Sequence, residues 1–133
     1  MTLEDIKKKY YFMKDVCFEH QNGWAVILDR FCLCLNYLFK LEENDYGFKI
    51  LQIKEKFGIL VIYYSFDENV PDAFNYIVKS LVDQVKDRSR IICEKCGEYG
   101  SLRSDTGWIH TYCDKCEEEY MQKIYERINK GKE

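Results

Sequence analysis

The chain has 133 residues, of which 47% are hydrophobic, 32% charged and 16% aromatic, a balance that suits one compact domain and excludes a disordered tract. Its formal charge of −3 argues against a strongly basic nucleic-acid binder, although a local basic patch is compatible with it. Asp29, Arg30, Asn36 and Lys40 break the longest apolar run well short of the roughly 20 residues of a membrane span, and the opening MTLEDIKKKYYF lacks the apolar core of a secretory signal, so a cytoplasmic protein is expected.

Residues 2–17 read as a first helix, because Leu3, Ile6, Tyr10, Met13 and Cys17 recur at three- and four-residue intervals and Thr2 with Asp5 resembles a capping box. Its Lys7, Lys8 and Lys9 are balanced by Glu4, Asp5, Asp15 and Glu19 and read as a solvated face. After the polar break His20-Gln21-Asn22-Gly23, a second helix is predicted from about Trp24 to Glu43, with Trp24, Leu28, Phe31, Leu35 and Leu38 on one face. Ile27, Cys34 and Leu41 would widen that face. Cys32 and Cys34 cannot share one helix face, so they and Cys17 read as core fillers rather than ligands.

The stretch from Phe48 to Phe66 is rich in Ile, Val, Tyr and Phe around a Lys-Phe-Gly turn. It predicts a β-hairpin with strands near 47–55 and 59–66. The second strand is apolar on both faces, which suggests burial between layers. A loop from Asp67 to Pro71 follows, with Pro71 suited to the first turn of a third helix. On that helix Phe74, Ile77, Val78, Leu81, Val82 and Val85 make an apolar stripe.

The composition changes at residue 93, so a body of residues 1–92 and a finger of residues 93–133 are expected. Four of the seven cysteines fall into two CxxC pairs separated by sixteen residues: Cys93 and Cys96, then Cys113 and Cys116. A CxxC turn lets two thiolates converge on one ion, and two such pairs complete a tetrahedron around a single structural Zn²⁺. Gly97 supplies the positive φ that the first turn demands. Gly100 and Gly107 bracket a short hairpin turning at Asp105-Thr106-Gly107, and the second pair opens a last helix over about Asp114 to Asn129. Knuckle, hairpin and helix in that order are the order of a treble-clef finger. Its Glu117, Glu118 and Glu119 lead and Arg127 and Lys130 trail, which complements the helix dipole.

Enzymatic readings find little footing, and no catalytic residue is assigned. The only histidines are His20 and His110, and no P-loop, nucleophile elbow or HExxH motif is present. A zinc deaminase needs Glu two residues after its ligand His, where Tyr112 stands, and Pro before CxxC, where Ile92 and Tyr112 stand. A metal-dependent nuclease centred on His110 would lack its second metal-binding group. Alternatively, Trp108, His110 and Tyr112 share one face of a strand and His110 is structural; it is also the one alternative ligand to the cysteines.

Gly23-Trp24, Lys54-Glu55-Lys56-Phe57-Gly58 with Ile59-Leu60 and Tyr63-Tyr64, and Cys93-Glu94-Lys95-Cys96-Gly97 continuing to Cys113-Asp114 together resemble a family of small uncharacterised phage and prophage proteins. The resemblance covers about residues 23–116. It implies a phage or mobile-element origin, a zinc finger in which Cys116 replaces a more frequent His, and action by binding a host or phage macromolecule.

The fold expected is α+β, with helices packed on a β-hairpin and a C-terminal treble-clef-like zinc finger. The function expected is a phage-encoded interaction protein that binds a host or phage protein and inhibits or redirects it. One alternative is a nucleic-acid-binding regulator using Lys7 to Lys9, Lys86, Arg88, Arg90 and Arg103; the other is the His110 nuclease. Residues 93–133 carry seven Lys or Arg against nine Asp or Glu, and four thiolates on Zn²⁺ add about −2 more, which disfavours a phosphate clamp.

Overall fold

The computed structural model describes residues 1–67 and 69–131. Among them the chain forms four α-helices and two small sheets, an α+β fold.

Helix α1 (Leu3–Lys9) starts on the capping box: the Thr2 hydroxyl accepts from the Asp5 amide at 3.2 Å and the Asp5 carboxylate accepts from the Thr2 amide at 2.8 Å. The predicted continuation to residue 17 does not occur. Tyr10 is extended (φ −121°, ψ 126°), and a single 3-10 turn, Tyr11–Met13, follows. The break lets near neighbours in sequence reach the core together. The Phe12 ring stacks on Tyr10 and meets Phe39 and Phe48 edge-on, contacts that outweigh the local helical period. Leu3, Ile6, Tyr10 and Met13 are buried as expected, whereas Cys17 lies beyond the break and is exposed.

Helix α2 (Ala25–Glu42) follows a 3-10 turn at Asn22–Trp24 and ends at Glu43, whose φ of 52° is left-handed. Trp24, Leu28, Phe31, Leu35, Leu38 and Ile27 are buried. Cys34 and Leu41 are exposed and do not widen the face. The reason is angular: Cys32 shares the stripe of Leu28 and Leu35, while Cys34 lies about 200° further round and Leu41 sits one heptad beyond it. Of the three cysteines read as core fillers, only Cys32 is buried.

The hairpin pairs β2 (Lys49–Lys56) with β3 (Ile59–Ser65) in antiparallel register, Lys56 opposite Ile59. Its two turn residues, Phe57 and Gly58, have φ of 53° and 81°, the paired positive values of a tight I′-like connection. A two-residue strand, β1 (Phe18–Glu19), adds parallel to β2, giving the order β1-β2-β3. Burial of β3 between two layers is not observed. Leu60 and Ile62 face the core, but Tyr63 is 40% exposed and, across a register shift in β2, Leu51 is 60% exposed. The helical layer covers one face of the sheet only.

Helix α3 (Asp72–Ser89) packs against α2 and β3. Pro71 stands at its N-cap rather than inside the first turn; the loop predicted from Asp67 includes position 68, which lies outside the described residues. Phe74, Val78 and Val85 are buried, Leu81 and Val82 half-buried, and Ile77 42% exposed. The Ser89 hydroxyl, fully enclosed, accepts from the Leu60 amide at 2.9 Å and ties α3 to the hairpin.

The finger follows directly. Strands β4 (Ser101–Arg103) and β5 (His110–Tyr112) form the second sheet, and α4 (Asp114–Lys130) closes the chain. Gly107, at φ 86°, turns the hairpin with its amide donating to the Ser104 carbonyl at 3.1 Å. Residues 132 and 133 of the predicted finger lie outside the described residues.

Candidate metal centre

The first cysteine pair is held by its own backbone. The Cys93 amide donates to the Glu98 carbonyl at 2.7 Å, and the Gly97 amide returns to the Cys93 carbonyl at 3.0 Å. Gly97, at φ 88°, makes this reversal, and the Glu98 amide then points at Cys96 Sγ at 3.5 Å. The second pair uses the start of α4: Cys113 is the N-cap residue, and its Sγ accepts from the Cys116 amide at 3.4 Å. The four predicted sulfurs come together, all within 4.8 Å of one another. Cys96 and Cys113 Sγ are 3.6 Å apart, close to the ~3.8 Å edge of a tetrahedron of sulfurs set about 2.3 Å from a central ion.

Burial and charge argue the same way. Cys93, Cys113 and Cys116 are buried and Cys96 is exposed. The Cys116 amide holds the Cys113 thiol down at about 7, while burial pushes both Cys96 and Cys116 up. One thiolate forms readily; four in this volume require a cation among them. Filled by four sulfurs, the centre is closed, with no position left for a reactive water.

His110 is not part of that tetrahedron. It is fully buried, its Nδ1 donates to the Trp108 carbonyl at 2.8 Å, and one proton is shared between its Nε2 and Glu117 Oε1 at 2.6 Å. Trp108 stacks on its ring at a 4.0 Å centroid distance, and Tyr112 and Tyr120 meet it edge-on. The shared face of Trp108, His110 and Tyr112 is therefore as predicted, with His110 at its centre. Glu117, the buried partner, was legible only as one of three acids in the first turn of a helix. The Arg103 guanidinium clamps the hairpin to α4 through the Tyr112 carbonyl and Asp114 Oδ1, the latter at 2.7 Å.

No family model, curated protein or solved structure matches this chain. The first knuckle seats directly on the rest of the fold. The Gly23 amide donates to the Glu94 carbonyl at 2.7 Å, and a Cβ on Gly23 would stand 2.2 Å from the Cys93 carbonyl oxygen. Trp24 Nε1 donates to the Ile92 carbonyl at 2.9 Å, and the Gln21 amide to Glu94 Oε2 at 3.0 Å. Thr111, inside β5, donates its hydroxyl to the Gly58 carbonyl at 2.6 Å. Sequence reasoning singled out Gly23 and Trp24 without finding this role. The signal was the pairing of a glycine, which permits close backbone approach, with a tryptophan that needs one acceptor when buried.

The candidate phosphate contacts are scattered over α1, α3 and β4. Lys9 pairs with Asp29 at 3.1 Å, Arg90 with Asp87 at 3.6 Å and Arg103 with Asp114 at 2.7 Å. Asp83 pairs with Lys79 at 3.2 Å rather than with the basic end of α3.

Proposed function

We propose that the protein is a zinc-stabilised interaction module that binds another protein, a host or phage protein in the setting that the sequence resemblance implies. The observation that carries this reading is the closed four-cysteine centre seated on Gly23 and Trp24. A metal held there fixes the knuckle to the body and presents a surface, and supplies no site for chemistry. Zinc is the ion of choice because four thiolates in a tetrahedron at two CxxC turns suit a borderline-soft cation without geometric preference of its own. The nuclease alternative is disfavoured by a His110 that is enclosed and engaged at both nitrogens. The regulator is disfavoured because its candidate cations are dispersed over three elements and Lys9, Arg90 and Arg103 are already paired with carboxylates. Among the described residues, no helix is long and apolar enough to cross a membrane.

The test is crosslinking and affinity capture of the tagged full chain from cells, read by mass spectrometry against a Cys96→Ser control. A discrete protein captured by wild type and lost in the control is expected. Capture of nothing above background would sink the reading. So would a metal-dependent phosphodiesterase activity of the wild type that disappears in His110→Ala, which would make the nuclease the better account.

A further inference from the structure

Two depressions adjoin where α2, α3 and the first knuckle meet. One, of about 190 Å³, lies over Phe31 and Val85; the other, of about 320 Å³, runs between Val26, Ile91 and Tyr99. Arg30 and Arg88 line both, so the two make one groove with two guanidinium groups at its waist. Both arginines are exposed, and among the described residues neither forms an ion pair. One acid, Glu98, stands on the rim. Val26, Ile91 and Tyr99 are 52%, 53% and 80% exposed, a cluster of apolar surface rather than scattered single residues.

From this juxtaposition we infer that the groove docks an acidic, amphipathic segment of the partner protein, an inference that rests on the interaction reading above. Carboxylates of the segment meet Arg30 and Arg88 as planar, bidentate partners, and its apolar side chains cover Val26, Ile91 and Tyr99. A nucleic acid fits less well. A phosphate track needs several cations in line, whereas here there are two, flanked by Glu98 and a net acidic finger. Because the groove offers only two guanidinium groups, few charge pairs form and the salt dependence of binding is shallow. The Tyr99 wall follows the knuckle directly, so docking also requires the metal.

The experiment selects a displayed library of random peptides of about a dozen residues on the immobilised, metal-loaded full chain, then titrates the enriched peptides. Enrichment of Asp and Glu interleaved with Leu, Ile or Phe is expected. The enriched peptides should slow alkylation of Cys34, which lines the same groove. The pair Arg30→Glu with Arg88→Glu should weaken them at least tenfold while metal content stays at the wild-type value, and Arg30→Gln with Arg88→Gln should weaken them by a smaller factor. Enriched peptides without acidic bias, or with affinity unchanged in the charge-reversed pair, overturn the groove and leave the interaction reading to another surface. Failure of both this selection and cellular capture overturns both. Tight binding of a single-stranded oligonucleotide, abolished by the same pair and unaccompanied by peptide enrichment, gives the guanidiniums to phosphate and overturns the inference.

Discussion

The seven cysteines divide into four that converge and three that stand apart, and each group supports its own expected outcome. Cys93, Cys96, Cys113 and Cys116 converge, so Cys96→Ser or Cys113→Ser removes a ligand that no neighbour replaces. Metal content should fall from one ion per chain toward none by elemental analysis. Cys17→Ala, Cys32→Ala and Cys34→Ala should leave it unchanged, and a drop in any of the three would reassign the ligands. His20 supports a prediction about pH. Its Nδ1 donates to the Gln21 carbonyl at 2.9 Å, while its Nε2 is buried beside Phe18 and Trp24 with no partner among the described residues. Burial therefore holds the imidazole below its ordinary 6.5. The unfolded chain takes up a proton near that value and the folded chain refuses it, so this contribution is intact above 6.5 and is lost as pH falls through it toward the lower folded value. Denaturation series in the presence of saturating zinc should show a flatter profile over this window for His20→Phe than for wild type. An identical slope would mean that His20 charges freely in the folded state.

At the level of elements, legibility followed how many residues shared one period. Helices α2 and α3 have five or six apolar positions in register; α2 lies within a residue of its predicted bounds, and α3 begins one residue after Pro71. The first helix did not, because Tyr10 and Phe12 gain more by entering the aromatic cluster than by completing two further turns. A strand of two residues such as β1 is too short to show alternation, and its pairing with Ile53 and Lys54 is a tertiary fact. The cysteine spacing carried the convergence of the four thiols, since each knuckle is a local object. Glu94 was invisible for the converse reason: its partner, the Gln21 amide, lies 73 residues away in sequence. The hairpin turn offers a test at this scale. Gly58 has φ 81°, and a Cβ there would stand 2.6 Å from Leu102 Cδ1 and 3.2 Å from His110 backbone. Gly58→Ala should therefore cost about 1–3 kcal/mol, from left-handed strain and from displacing the finger hairpin. Chemical denaturation at saturating zinc measures it; a change below a few tenths would show that the finger shifts freely on the body.

Across the whole molecule, body and finger share their polar contacts closely enough that neither is complete alone. The Gly23 amide has its acceptor in the Glu94 carbonyl, the Gln21 amide in the Glu94 carboxylate, and the Thr111 hydroxyl in the Gly58 carbonyl. A buried donor left without its partner costs about 1–3 kcal/mol. Chelation should accordingly raise hydrogen exchange beyond the finger, at the amides of Gln21 and Gly23 and in the first turn of α2, while the centre of α3 stays protected. Deprotection confined to residues after 93 would mean that the seat holds without metal. The same seat orders events at synthesis. The Trp24 indole and its acceptor are 68 residues apart, and the thiols of Cys113 and Cys116 emerge from the ribosome later still. On the metal-binding reading proposed above, a growing chain would not complete this seat until the last of the four thiols appears. On that reading, maturation would depend on the supply of the metal.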